Sequence, residues 1–323
     1  MSRLLLAFAL VLAGSLGVRA QVRLGAANDS EADEIQRYIR ENPDFGSAFT
    51  RECENVLARL ETTREHSAFV SRRREVGLVI TDTGHDIKAR TAARYARGGI
   101  LLNRTYLVSQ AVELEQRGLD AARAAEFLAW KAAPIIAHEI RHGIVEEQMR
   151  RALGVQCGAG VLEDEILAFY DNARVAKEAV GLRPDLWEEG MLLDIDAQNG
   201  TILARWNEGP QALAELVRET YPTKISVREA GEKAFLRALK KDEGNLRDIF
   251  VQTARDEKIL KTSTDPAERE RAQAYLDSPP SAAEARVLLK NNLECAAAMR
   301  SAEGYEGLRA FYVERLAAAR KGR

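Results

Sequence analysis

The chain is poor in histidine, cysteine and aromatic residues: 323 residues contain four histidines and three cysteines, and aromatic side chains make up 6%. Three cysteines are too few for a disulfide-stapled mini-domain, and none has the CxxC spacing of a zinc site. No fixed repeat period is present, which excludes a solenoid. Neither sign of charge dominates. The formal net charge is −2 with both signs mixed throughout, so nothing in the sequence points to nucleic acid. The one basic run, Arg72-Arg73-Arg74, is short and reads as a solvated entry to a strand. Long apolar runs are missing beyond the first twenty residues, which leaves no membrane span in the remainder.

Those first twenty residues are the exception. Arg3 gives a short positive start, residues 4–16 are almost wholly apolar, and Val18-Arg19-Ala20 ends in a small-residue cleavage pattern. This is the pattern of a secretory signal peptide, with an uncleaved anchor as the alternative. Cleavage near Ala20 predicts an exported chain beginning at Gln21 without a membrane span. About 300 remaining residues suffice for one large domain or two ordinary ones. In an exported protein Cys53, Cys157 and Cys295 can form one disulfide and leave one thiol. The sequence does not choose among the three pairings, and simple thiols are the alternative.

Scarcity of histidine gives weight to residues 138–142, His138-Glu139-Ile140-Arg141-His142. In such a composition a chance HExxH appears in roughly a few of every thousand sequences. Residues four apart share a helix face, because each residue turns by about 100°. His138 and His142 can therefore meet one metal ion, with Glu139 beside them as a general base. Ile135, Val145, Met149 and Leu153 lie on the histidine face, and Ile136, Ile140 and Ile144 cover much of the other. A helix apolar nearly all round is buried, and buried histidines need partners.

The surrounding elements read as follows. Residues 31–65 form two helices separated by Asn42-Pro43-Asp44. Residues 75–81 (EVGLVIT) and 100–103 are strands, joined through a turn cluster at residues 81–86. His85 in that turn is an exposed residue rather than a ligand. A helix over residues 105–117 follows, and Asp120 caps the next. Pro134 kinks the chain or starts a new helix just before the motif. Gly143 is either kept for close approach by a neighbouring backbone or merely tolerated. The motif helix stops at Gly154, a glycine-rich loop follows, and residues 162–180 form a second helix.

The second helix carries Glu163, Asp164 and Glu165 near its start. Glu163 and Glu165 lie about 200° apart, so both cannot face one metal. Leu162, Ile166, Phe169, Ala173 and Val180 define the core stripe. Glu165 borders it beside the small residues Ala168, Asn172, Ala176 and Ala179, which permit close approach to the histidine helix. Glu163 borders it beside Tyr170, Arg174 and Lys177, a wetter-looking surface. Asp164, Asp171 and Glu178 read as a solvated stripe. Of the two, Glu165 is the one expected to face the histidine helix.

HEIRH, a glycine-containing connection and a helix with Glu165-Ile166-Leu167-Ala168 together resemble the zinc metallopeptidases of the gluzincin type. These carry HExxH on one helix and a glutamate ligand on the next. The resemblance covers residues 75–180. It implies a zincin-like lobe over residues 21–181, a Zn²⁺ cofactor held by His138, His142 and Glu165, and a peptide or protein substrate lying extended along a sheet edge. A helical region over residues 182–323 would then close the cleft. The chain departs from gluzincins that carry Asp four residues after the ligand glutamate, since Phe169 stands there. The carboxylate that usually supports a zinc-bound histidine is therefore unplaced. No histidine follows His142, so a transition-state donor must be Tyr, Arg, Asn or backbone, with Tyr170, Arg174 and Tyr221 as candidates.

The expected fold is mainly α with a small β-sheet, and the expected function is an exported zinc peptidase. The alternatives are a non-catalytic helical binding protein with a structural or degenerate metal site, and a zinc hydrolase acting on a non-peptide bond.

Overall fold

The computed structural model describes residues 29–72, 77–81, 92–96, 99–157, 161–276 and 282–321. The signal-like segment, His85, Arg73-Arg74 and Pro279-Pro280 lie outside them. The chain is mainly helical with one small sheet. Helices α1 (Asp29–Glu41), α2 (Phe45–Arg59) and α3 (Arg64–Arg72) precede strands β1 (Gly77–Thr81), β2 (Ala93–Ala96) and β3 (Gly99–Asn103). Helices α4 (Arg104–Gln116), α5 (Ala121–Leu153) and α6 (Leu162–Leu182) follow. Then come α7 (Asp194–Glu208), α8 (Pro210–Thr220), α9 (Glu232–Thr262), α10 (Pro266–Leu276), α11 (Ala282–Met299) and α12 (Ala302–Lys321). Among the described residues no helix is long and apolar enough to cross a membrane.

The sheet has the order β1-β3-β2, with β1 parallel and β2 antiparallel to β3. Strand β2 is absent from the sequence expectations because Ala-Arg-Tyr-Ala carries no alternating pattern. Pairing opposite Gly99–Leu102 makes it a strand. Asn103 N donates to the Ala92 carbonyl at 2.9 Å. In an antiparallel pair, bonded positions alternate. Arg94 and Ala96 therefore also face β3, and Tyr95 turns its peptide N–H to the outer edge.

Helix α5 is the spine. Asp120 caps it by accepting from Arg123 N at 2.8 Å, and Gly154 ends it in the left-handed conformation, φ 70°. Two apolar cores meet along it. Ile135, Ile136, Ile140 and Ile144 belong to a core with α2, α4 and β3. Val145 and Met149 belong to a second, with Ile166, Phe169, Trp206, Leu308 and Tyr312. Cys157 and Cys295 form a disulfide that ties the loop after α5 to α11, and Cys53 is a buried free thiol.

Two expectations about α5 are settled. Of the two alternatives at Pro134, a new helix is excluded; α5 runs through the proline. Packing on all sides fixes this stretch, and Asn199 Nδ2 donates to the Lys131 carbonyl at 2.9 Å, in the turn the proline ring crowds. Gly143 is approached by side chains, not by backbone. A Cβ there would lie 2.8 Å from Phe69 Cζ and 2.9 Å from Tyr95 Cε2. Gly143→Ala gains about 1 kcal/mol of helix propensity but overpacks, which costs about 1–3 kcal/mol. The expected outcome is a net loss on the order of 1 kcal/mol in chemical denaturation; a gain would show that the two rings yield freely.

Candidate metal centre

Helices α5 and α6 pack side by side and bring the centre together. His138 Nε2 lies 3.3 Å from His142 Nε2. Glu165 Oε2 lies 3.6 Å from the first and 3.8 Å from the second. Zinc–ligand bonds of about 2.0–2.2 Å place tetrahedral ligand atoms about 3.3–3.5 Å apart. The triangle is thus close to the size that one ion draws together. These three residues form one group of candidate ligand atoms, all within 4.8 Å of one another. Glu165 Oε2 is buried and accepts no hydrogen bond. A buried carboxylate oxygen without a partner is costly unless a cation completes it.

The electrostatics also suit a cation. Burial opposes a charge on His142, but Asp164 and then Glu165 outweigh it and push the His142 pKa up to about 10. Burial would raise the Glu165 pKa, but His142, His138 and Lys224 hold it well below the usual carboxylate range. Without a metal, the pocket therefore takes a proton in its place.

Each side chain has a local reason for its place. The start of α6 is a helix N-terminus, where acidic residues are favoured. Asp164 and Glu165 are neighbours there, about 100° apart, and both reach His142. Asp164 Oδ2 lies 2.7 Å from His142 Nδ1. Nδ1 donates to this carboxylate, so a metal that displaced the second proton would meet the Nε2 lone pair, the arrangement in which a carboxylate fixes the tautomer of a ligating histidine. This supporting carboxylate is the one the sequence left unplaced. Phe169 instead gives His138 an apolar wall, with ring centres 4.8 Å apart, edge to face.

Glu139 stands beside the triangle. Its Oε2 accepts from Tyr95 N, on the outer edge of β2, at 2.6 Å. Its Oε1 is 3.9 Å from His138 Nε2. The Tyr95 hydroxyl donates to Glu146 Oε2 at 2.7 Å, so β2 is tied to the motif helix at two points.

Two readings of α6 are corrected. Asp164 and Asp171 are not a solvated stripe; both are buried. Glu178 in that stripe accepts from Glu61 N at 2.7 Å and Thr62 N at 2.9 Å. Glu163 does not face a wet surface either, being 1% exposed. It accepts from Ser226 Oγ at 2.6 Å and from Val227 N at 3.0 Å. The supposed surface is covered by residues 225–228 and by α12, elements far along the chain. Among the three donor candidates, Tyr170 gives its hydroxyl to the Pro210 carbonyl and Arg174 pairs with Asp171. Tyr221 remains. Burial, then the charges of Glu165 and Glu139, push its hydroxyl pKa well above the ordinary tyrosine value, so it stays protonated.

Arg141, inside the motif, has a structural partner. It pairs with buried Asp171, which also meets Arg174, and His66 Nε2 lies 2.7 Å from Asp171 Oδ2. Burial would raise the Asp171 pKa, but Arg141 and then His66 hold it well below the usual carboxylate range. A depressed carboxylate contributes stability that is present above its unfolded pKa of about 3.9 and is lost as pH falls towards the folded value. Urea denaturation between pH 3 and 6 is expected to show this acid-side loss in the wild type. Asp171→Asn should be less stable at pH 6 and show a flatter acid limb; parallel profiles would contradict the assignment.

No protein-family model matches the sequence, and no curated protein or solved structure matches it either.

Proposed function

We propose that the protein is a zinc-dependent peptidase of zincin-like architecture. The observation that carries this reading is the triangle of His138 Nε2, His142 Nε2 and Glu165 Oε2 with Glu139 at its side. Those three atoms would hold the ion. Zinc bound there supplies a Lewis acid and brings the pKa of water towards about 7. Glu139 is the proton acceptor. The Tyr95 amide holds one of its oxygens and fixes the carboxylate, leaving Oε1 turned towards the histidines. Tyr221, which keeps its proton, is the remaining candidate for the hydrogen-bond donor to developing negative charge.

The outer edge of β2 passes beside Glu139, as an extended peptide substrate requires. The Asp164 bond to His142 supports a site tuned for a metal rather than two histidines that share a face by chance. The signal-like first twenty residues, together with the Cys157–Cys295 disulfide, favour an oxidising compartment outside the cytoplasm.

The test is proteomic cleavage profiling with the purified protein, with and without chelator. Cleavage that disappears on chelation and returns with zinc supports the reading. No cleavage by the zinc-loaded protein, or cleavage indifferent to chelator, removes it.

A further inference from the structure

Residues 221–230 bring the C-terminal part of the chain to the triangle. The backbone of this stretch is pinned to the start of α6. Leu162 N donates to the Ile225 carbonyl at 2.9 Å, and Glu163 accepts from Ser226 Oγ, Val227 N and Arg228 N. From the other side, the Tyr305 hydroxyl on α12 donates to the Val227 carbonyl at 2.9 Å. The stretch cannot move relative to Glu165 without breaking these bonds. It delivers Lys224, whose Nζ lies 2.9 Å from Glu165 Oε1 and 5.6 Å from the centre of the Tyr221 ring.

The two oxygens of Glu165 are thereby divided. Oε1 is held by Lys224, and Oε2 is left without a hydrogen bond beside the histidine nitrogens. We propose that Lys224 is a positioning residue for the third ligand, reserving Oε1 so that only Oε2 can meet the metal ion. A carboxylate with both oxygens free can chelate and fill the position that a catalytic zinc site keeps open. The ammonium also withdraws charge from Glu165, which makes the carboxylate a weaker donor and the site more electrophilic. This role rests on the reading of His138, His142 and Glu165 as metal ligands, and not on the bond that is hydrolysed.

A purely structural lysine, present only to neutralise a buried carboxylate, would behave differently. Its removal would loosen Glu165, weaken metal binding and leave the geometry of any bound ion unchanged. A positioning lysine repels the ion while it arranges the ligand. Removing it should tighten metal binding and change the coordination geometry.

Cobalt(II) in place of zinc separates the two, because its visible spectrum reports coordination geometry. Wild type, Lys224→Met and Lys224→Arg are each loaded with cobalt, and zinc affinity is measured by competition with a chromogenic chelator. Methionine keeps the apolar stem and removes the charge; arginine keeps the charge. In Lys224→Met the cobalt band should weaken and move to shorter wavelength, as it does when coordination number rises. Zinc binding should tighten at least about threefold with the repelling charge gone. Lys224→Arg should keep the wild-type spectrum. If Lys224→Met fails to fold, Lys224→Gln carries the same comparison. An unchanged cobalt spectrum in the uncharged variant, or weaker zinc binding with the spectrum retained, overturns the role of Lys224 alone. A wild type that takes up no cobalt overturns the metal centre and this role with it.

Discussion

Glu139→Gln should lower peptide hydrolysis by about 10²–10⁴-fold while zinc content stays at the wild-type level. Glutamine has the shape of glutamate, and its amide oxygen can still accept from the Tyr95 N–H that now bonds Oε2 at 2.6 Å. The variant therefore keeps the link between β2 and α5. What it loses is the ability to take a proton. Zinc should be retained because Glu139 stands outside the triangle of His138, His142 and Glu165. Paired measurements of turnover and metal content check both halves. Full activity in the variant removes the general-base role, and loss of zinc along with activity makes Glu139 a ligand instead.

The second large effect is expected at Glu165. Glu165→Ala should take zinc well below one ion per chain after dialysis, and activity with it, because two histidines alone leave the site short of the three protein ligands a catalytic zinc needs. The control is its neighbour on the same turn. Glu163 holds residues 226–228 and takes no part in the triangle, so Glu163→Ala should keep its zinc and lose stability, on the order of 2 kcal/mol for the bonds to a charged acceptor. Asp164→Asn falls between the two. It keeps the ligands, loosens the hold on His142 Nδ1, and should weaken zinc binding about 10–100-fold. Metal analysis of the three variants under one dialysis protocol separates the cases. Zinc lost from Glu163→Ala and kept in Glu165→Ala would mean that the helix phase had been misassigned.

That phase was legible in the sequence. Helical periodicity put Glu165 beside Ala168, Ala176 and Ala179. Those small residues are buried. The burial of the histidine helix was legible for a similar reason, since Ile136, Ile140 and Ile144 cover much of the side away from the histidines. Strands β1 and β3 announced themselves by apolar, β-branched runs. Local pattern reaches no further than the element that carries it. Asp164 and Glu163 looked solvated because an acidic helix start is commonplace, and because their cover comes from residues 225–228 and from α12, far away in sequence. Tyr312 on α12 shows this: burial, then the charges of Asp164 and Glu163, push its pKa well above the ordinary value. Lys224 carried no local signal either. Its place is set by backbone bonds from residues 225–228 to the start of α6, and no periodicity encodes them. One missed residue did have a signal. A zinc-bound histidine needs a carboxylate on its other nitrogen, and Asp164 is the acid next to the expected ligand on the same helix turn.

The most direct test of the whole account is a crystal structure of the zinc-loaded protein, with diffraction recorded on both sides of the zinc absorption edge. The account predicts one anomalous peak per chain, bounded by His138 Nε2, His142 Nε2 and Glu165 Oε2, with Asp164 still on His142 Nδ1. A peak at another group of side chains, or none at this triangle in crystals grown with zinc, would contradict it.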